Sequence, residues 1–495
     1  MTHTIEKHPS VAAFLDQPSI PAFIGGQWRE LSGGTMDVKD PATGKTIAVV
    51  STANANDVAD AVESADEAFA GWSAMKPKER AELLNRLADK IAEQSEVLAQ
   101  LEALDVGKPI VNARGFDVPF GADCLRYFAD MSIDAVYDRP LNVEGMDARV
   151  HRAPYGVCGF IFPWNFPFTL CCWGIGPALA AGNTVVIKAS EVTPLSTLYL
   201  GYLAKEVGIP DGVINIYTGT GPECGQPLVE HPLVRRISFT GSSAVGKMIG
   251  RICGERLIPC KLELGGKGAA VVLDDVDVDQ VAEALAGAIT LNTGQVCCTA
   301  TRWFIHEKIY DPFVAKIQEL LNKTAIGHGL EEGTQMGPLV SKAQVDRVED
   351  YYKKGLSEGA TAIVELKRPV VGGGEEGYFV SPHLLAGDDN NICFREEVFG
   401  PTAYLVKFKE DSDAIKRVNS LAYGLANSVW GRDLDRANAI AEQIVSGNSW
   451  INAHNVFAYG LPYGGVNLSG VGGGVNSPET FDDYLRDQTI ARPLA

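Results

Sequence analysis

Two helical stripes stand out in the first hundred residues. Val58, Val62, Ala65, Phe69 and Trp72 recur on one face, and Leu84, Leu87, Ile91, Leu98 and Leu101 do so on the next helix, which is predicted to stop at Gly107-Lys-Pro109. Before them, Pro21 to Leu31 predicts a short strand and turn, and Asp40-Pro-Ala-Thr-Gly44 a turn with proline and glycine in their usual places. From Leu141 to Gly156 the residues alternate around Glu144-Gly-Met146, which predicts a hairpin, and the tail from Tyr484 to Ala495 is similarly strand-like. Two short strand segments far apart in sequence, with no domain of their own, suit an arm that pairs with another subunit.

Between residues 184 and 290 the pattern alternates between strand and helix. Thr184-Val-Val-Ile-Lys188 predicts a buried strand, Pro194 to Val207 a helix, Val213 to Thr218 a strand, Arg236 to Thr240 a strand and Ala244 to Gly254 a helix. That interval implies a parallel sheet of the doubly wound α/β type, which binds nucleotides at the carboxyl ends of its strands. Residues 153–187 carry no charged side chain, enough length for a membrane span. Pro154, Pro163, Pro167 and Pro177, with five glycines, break any single helix there, so the segment reads as buried strands and loops.

Composition narrows the class. A chain of 495 residues accommodates two domains and an appendage, and 46% hydrophobic with 21% charged residues is ordinary for a globular protein. A formal charge of -19 argues against nucleic acid or an anionic membrane as partner, since this surface has no excess cations with which to release counterions. Ten scattered cysteines without a CxxC read as reduced thiols, and eight scattered histidines offer no ligand spacing, so no metal is expected. Met1 to Gln17 has charges where a signal peptide needs an apolar core, which predicts a cytoplasmic protein.

Four stretches carry candidate chemistry. Asn292-Thr-Gly-Gln-Val-Cys-Cys-Thr-Ala-Thr-Arg302 is a small polar turn that delivers Cys297 between a helical and a strand-like run. As a thiolate Cys297 would be a nucleophile; as a buried thiol it would be a small hydrophobe. In Ile237-Ser-Phe-Thr-Gly-Ser-Ser-Ala-Val-Gly246 a glycine ends a strand and another lies one turn into a helix, which leaves backbone amides for a pyrophosphate. The spacing is neither GxGxxG nor a P-loop, and a plain strand-to-helix turn would look alike. Glu263, in Lys261-Leu-Glu-Leu-Gly-Gly-Lys267, lies among leucines and is either a partly desolvated base or a surface glutamate at a strand end. Asn165, in Phe162-Pro-Trp-Asn-Phe-Pro167, is a rigid amide that would suit an oxyanion, or a buried asparagine bonded to backbone.

Those stretches, with Lys188-Ala-Ser-Glu191 and Glu396-Glu-Val-Phe-Gly-Pro401, occur together in an order that resembles the NAD(P)-dependent aldehyde dehydrogenase superfamily, in its non-acylating branch. The resemblance spans nearly the whole chain. It implies a nucleotide-binding domain from residues 1–130 and 150–263, an α/β catalytic domain over 264–477 and a small β oligomerisation arm from 131–149 and 478–495. It also implies a homodimer or homotetramer. Cys297 would attack the aldehyde, Asn165 and the Cys297 amide would hold the oxyanion, and Glu263 would activate the water that hydrolyses the thioester. Relatives that pass the acyl group to coenzyme A generally lack that glutamate, so a carboxylic acid product is expected.

The resemblance places Lys188 and Glu191 at the adenosine ribose, and Trp164 and Ser242 at the pyrophosphate. Glu397 and Phe399 would meet the nicotinamide half. Gly241, Gly246 and Leu264 complete the expected cofactor set. Glu191 would repel a 2′-phosphate, which favours NAD over NADP, while Lys188 pulls the other way. Phe166, Leu170, Trp173, Cys298, Trp450, Asn455, Phe457 and Tyr463 would line the substrate tunnel. That uncharged, aromatic set suits an aliphatic or aromatic aldehyde first and a betaine or aminoaldehyde second. A non-catalytic or esterase-only relative is the alternative from another class.

Three departures from the family pattern are visible. Gly474 stands where an acidic residue is common, which puts any proton relay through it in doubt. Gly174 replaces a lysine after the tunnel tryptophan, which predicts a wider or more neutral tunnel. Cys298 follows the nucleophile directly; a bridge to Cys297 would be strained.

Overall fold

The computed structural model describes residues 7–372 and 376–494. Its centre is a sheet of five parallel strands in the order Ile214–Thr218, Thr184–Ala189, Val157–Ile161, Val234–Thr240, Cys260–Glu263. The order reverses beside Val157–Ile161, so the carboxyl ends of Val157–Ile161 and Val234–Thr240 open a crevice of the kind that holds nucleotides in such sheets. Antiparallel segments close its edges: Ala22–Ile24 pairs with Ile214–Thr218, and Gly470–Val471 with Cys260–Glu263.

A second sheet follows directly in the chain. Its order is Thr361–Val364, His383–Ala386, Thr402–Phe408, Ala300–His306, Gly268–Val272, Ala426–Trp430, Asn448–Ile451, all parallel except the first. Both sheets read as continuous apolar runs because both faces are covered; Thr184–Ala189 and Ala426–Trp430 are buried at every position. In the third sheet the tail strand Leu485–Pro493 pairs with Met146–Pro154, which pairs in turn with Asp138–Leu141. Gly145, at φ 72°, makes the turn of the expected hairpin. The long strand runs to Pro154, past the boundary at 149 expected from sequence.

Two expectations need correction. The stretch 153–187 is more than strands and loops, because it contains the helix Pro167–Ala180. Pro167 occupies the first turn, where its missing N–H costs nothing, and nearly every helix residue is buried, so no amphipathic stripe betrays it. The second stripe near the amino terminus is two helices, Pro77–Glu93 and Ser95–Asp105, broken at Gln94. Val97 to Asp105 is buried on all sides, which periodicity alone does not distinguish from a continued stripe. No helix among the described residues is long and apolar enough to cross a membrane.

Candidate active site

The carboxyl ends of the first sheet face the amino ends of the second, and the expected chemistry collects between them. Val157–Ile161 runs into Phe162 and Asn165, Val234–Thr240 into Gly241 and Ser242, and Cys260–Glu263 ends on Glu263 itself. From the other side, the turn before Ala300–His306 brings in Cys297. Asn165, Glu263 and Cys297 all line one cavity of about 530 Å³.

The turn that presents Cys297 is strained and over-determined. Asn292, Thr293 and Gly294 are all left-handed, at φ 46°, 56° and 68°, a conformation costing of order 1–3 kcal/mol at each non-glycine residue. Hydrogen bonds hold it there: Asn292 Nδ2 donates to Asn165 O at 2.8 Å, Thr293 Oγ1 to Gly337 O at 2.9 Å, and the Val340 amide to Gln295 Oε1 at 2.9 Å. A Cβ at Gly294 would sit 2.1 Å from Gly400 O, so only glycine fits. Cys297 is half-buried, with its sulfur 3.4 Å from Tyr463 Oη. The Cys298 thiol, and then the Tyr463 hydroxyl, pull the Cys297 thiol below its usual range against the effect of burial.

Asn165 is buried and gives one N–H of its amide to Gln295 O at 3.0 Å, which orients the group and leaves its second N–H for another acceptor. Glu263 has both carboxylate oxygens buried without any hydrogen-bond partner. Burial holds its carboxyl well above the usual range; Lys261 opposes this, and the nearby Cys297 sulfur adds to it. A buried, unpaired acid that lines the same cavity as a thiol is a candidate proton acceptor for chemistry on that sulfur.

The cavity continues past Trp164, Gly241, Ser242, Leu264, Glu397 and Phe399. Ser242 caps the helix Ser243–Arg256, whose amino end therefore faces this space. Glu397 Oε1 accepts from the Gly266 amide at 2.9 Å, and burial pushes its carboxyl up to about 7. Phe399 is left-handed at φ 64° and packs edge-on against Trp164 at 5.3 Å. Gly246 lies off the cavity, and its role is packing: a Cβ there would be 2.4 Å from Leu264 Cδ2. Lys188 and Glu191 also lie off it, joined to each other at 2.5 Å.

On the other side, Phe166, Leu170, Trp173, Cys298, Asn455, Phe457 and Tyr463 line the cavity, while Trp450 stands behind, edge-on to His454 at 5.0 Å and Phe457 at 6.2 Å. Cys298 donates its S–H to Asn455 Oδ1 at 3.3 Å; both cysteines are free thiols. The sequence reading missed Lys108, Phe116 and Asp117, which also form the wall. Phe116 and Asp117 sit in the π-helical turn Ala113–Asp117 before the helix Val118–Asp134, where the wider turn breaks the 3.6-residue period.

Two of the departures now have a physical account. Gly174 lines the cavity, and the Phe162 ring lies against it: a Cβ at 174 would be 2.7 Å from Phe162 Cζ. Gly474 allows its backbone to press on Tyr463, whose carbonyl oxygen would lie 2.6 Å from a Cβ at 474. The Gly474 carbonyl accepts from the buried Lys261 Nζ at 2.5 Å. Lys261 is two residues before Glu263 in the strand Cys260–Glu263, and its burial gives no signal in the sequence beyond that spacing.

Among known proteins, the model of the "Aldehyde dehydrogenase family" matches residues 28–490. Phenylacetaldehyde dehydrogenase of Pseudomonas fluorescens is 38% identical over 490 residues, 95% of this chain and 96% of that protein. The NAD+ complex of aldehyde dehydrogenase from Bacillus cereus superposes with a TM-score of 0.96 at 37% identity, covering 99% of this chain and 100% of that one. Betaine aldehyde dehydrogenase from Staphylococcus aureus, in complex with NAD+, does so with a TM-score of 0.94 at 31% identity over 98% and 97% of the two chains. The chain belongs to the aldehyde dehydrogenase family.

Proposed function

We propose that the protein oxidises an aldehyde to a carboxylic acid with NAD, through a thioester on Cys297. The observation that carries this reading is the convergence of Cys297, Asn165 and Glu263 on one cavity that continues to the capped amino end of Ser243–Arg256. The Cys297 thiolate adds to the aldehyde carbon, and the free N–H of Asn165 together with the Cys297 amide receives the oxyanion. NAD, when bound, supplies the acceptor for the hydride. Trp164, Ser242, Glu397 and Phe399 would hold it, and Lys188 with Glu191 would meet its adenosine ribose. Once the thioester has formed, Glu263 takes a proton from water, the hydroxide adds to the acyl carbon, and the Cys297 thiolate leaves.

Glu263 suits this task because it is buried, unpaired and takes up a proton more readily than an ordinary glutamate. The Lys188–Glu191 pair supports NAD over NADP, because the lysine is already engaged by a carboxylate that would repel a 2′-phosphate. The wall of Phe116, Phe166, Trp173, Phe457 and Tyr463 supports an aromatic or aliphatic aldehyde, in keeping with the relative named for phenylacetaldehyde. The same rings would accept a quaternary ammonium by cation-π contact, which keeps betaine aldehyde as the second reading.

The test is a panel of phenylacetaldehyde, aliphatic aldehydes and betaine aldehyde, each assayed for NADH and NADPH release. The reading expects phenylacetaldehyde with NAD to give the highest kcat/KM. Aldehyde turnover that is unchanged without NAD would replace it with a cysteine hydrolase. We also propose a homodimer or homotetramer assembled through the arm, where the outer strand Leu485–Pro493 exposes eight of its nine residues. Light scattering that finds only a monomer would end that part.

A further inference from the structure

The groups that bear on the Cys297 sulfur come from four elements. Cys298 belongs to its own turn, Tyr463 to the loop that pairs with Val475, Glu397 to the stretch before Thr402–Phe408, and Glu263 to the end of Cys260–Glu263. Both glutamates oppose a negative charge on the sulfur. Stabilisation must therefore come from neutral donors, and the hydroxyl of Tyr463 is 3.4 Å from the sulfur.

The placement of that hydroxyl is fixed by backbone and rings. The Tyr463 amide donates to Val475 O at 3.0 Å and the Tyr463 carbonyl oxygen accepts from the Val475 amide at 2.6 Å, an approach that a side chain at Gly474 would block. Its ring is held against Phe457 at 5.3 Å and Trp173 at 5.9 Å. Burial first, and the two thiols next, push its own ionisation far up, so it stays a neutral O–H donor while the thiol titrates. A thiolate has no proton to give, so in that state the bond runs only from oxygen to sulfur.

We propose that Tyr463 is a catalytic residue whose hydroxyl donates a hydrogen bond to the Cys297 thiolate, both in the resting enzyme and when the sulfur leaves the thioester. No proton is transferred; the phenol keeps its hydrogen throughout, and the bond shortens as charge collects on sulfur. The inference rests on the reading of Cys297 as nucleophile and adds to the wall position of Tyr463 a role on the reacting atom.

The test is the pH dependence of Cys297 alkylation by iodoacetamide, followed by peptide mass, in the wild type, Tyr463→Phe, Cys298→Ala and the double variant. Tyr463→Phe should raise the midpoint by about one unit, so that alkylation below it slows about tenfold while the limiting rate at high pH is kept. The shift should persist in the Cys298→Ala background. Replacing Tyr463 by 3-fluorotyrosine, a stronger donor on the same ring, should move the midpoint the other way and serves if the phenylalanine variant does not fold. An unchanged midpoint, or a shift that disappears when Cys298 is removed, overturns the proposal. Failure of the underlying reading looks different: fully alkylated Cys297 with aldehyde oxidation intact.

Discussion

Two buried acidic groups at one cavity, reached through Asp117 on one side and Glu263 on the other, differ in how they are partnered. Glu102 and Asp117 are fully buried, and both are joined to Lys108 Nζ, at 2.8 and 2.5 Å. Glu102 Oε1 also accepts from the Phe168 amide at 3.1 Å and Ser196 Oγ at 2.5 Å, and Asp117 Oδ1 from Thr169 Oγ1 at 3.4 Å. Glu263 has none of this. Lys261, two residues before it on the same face of the strand, has its ammonium on Gly474 O and, at 3.1 Å, on Asp483. The first group offsets part of its desolvation by pairing and ties together the elements around the tunnel; the second keeps that cost, and a proton-accepting group results.

Removing the unpaired acid should act on rate: Glu263→Gln should lower steady-state turnover by about 10²–10⁴-fold while retaining a first burst of NADH, as read by stopped flow. Full steady-state turnover in that variant would remove the base from the account. Removing the cation of the paired group should act on stability instead. Lys108→Met strands two buried carboxylates and should cost about 3–5 kcal/mol in denaturant unfolding. A loss below about 1 kcal/mol would show that Glu102 and Asp117 are held as neutral acids, without need of the lysine.

The smallest effect is the pH dependence of stability that comes from Glu263. Unfolded, the Glu263 carboxyl titrates near 4.5, and burial raises it well above that in the folded chain. Below about pH 4.5 it is neutral in both states. As pH rises from there, the unfolded state ionises first, so wild-type stability falls until the folded carboxyl ionises in its turn. Glu263→Gln lacks this loss. The variant should therefore gain about 1 kcal/mol over wild type at pH 8, and the gain should vanish below about pH 4.5. A variant no more stable than wild type at pH 8 would mean that the glutamate is not held unpaired in solution.

The strand ends were legible in the sequence because each carries a turn motif after an apolar run: Phe162 to Pro167, Thr240 to Ser242 and Glu263 to Gly266. The doubly wound order followed from the strand and helix intervals. The helix Pro167–Ala180 was not legible, since it is apolar on every side and starts at a proline. Phe116, Asp117 and Lys108 were missed because they reach the cavity from a π-turn and a loop, where neither the 3.6 nor the 2.0 period applies. The consecutive left-handed residues Asn292 and Thr293 were hidden for another reason: threonine rarely adopts that conformation, and only the surrounding bonds hold it there.

The account turns on carbon becoming covalently attached to sulfur at residue 297. Intact-protein and peptide mass spectrometry of Glu263→Gln, mixed with NAD and phenylacetaldehyde and quenched in acid, tests this most directly. The account predicts a phenylacetyl group on Cys297, together with one equivalent of NADH, and neither in Glu263→Gln/Cys297→Ala. NADH formed at an undiminished rate by Cys297→Ala, or an acyl group found on another residue, would contradict it.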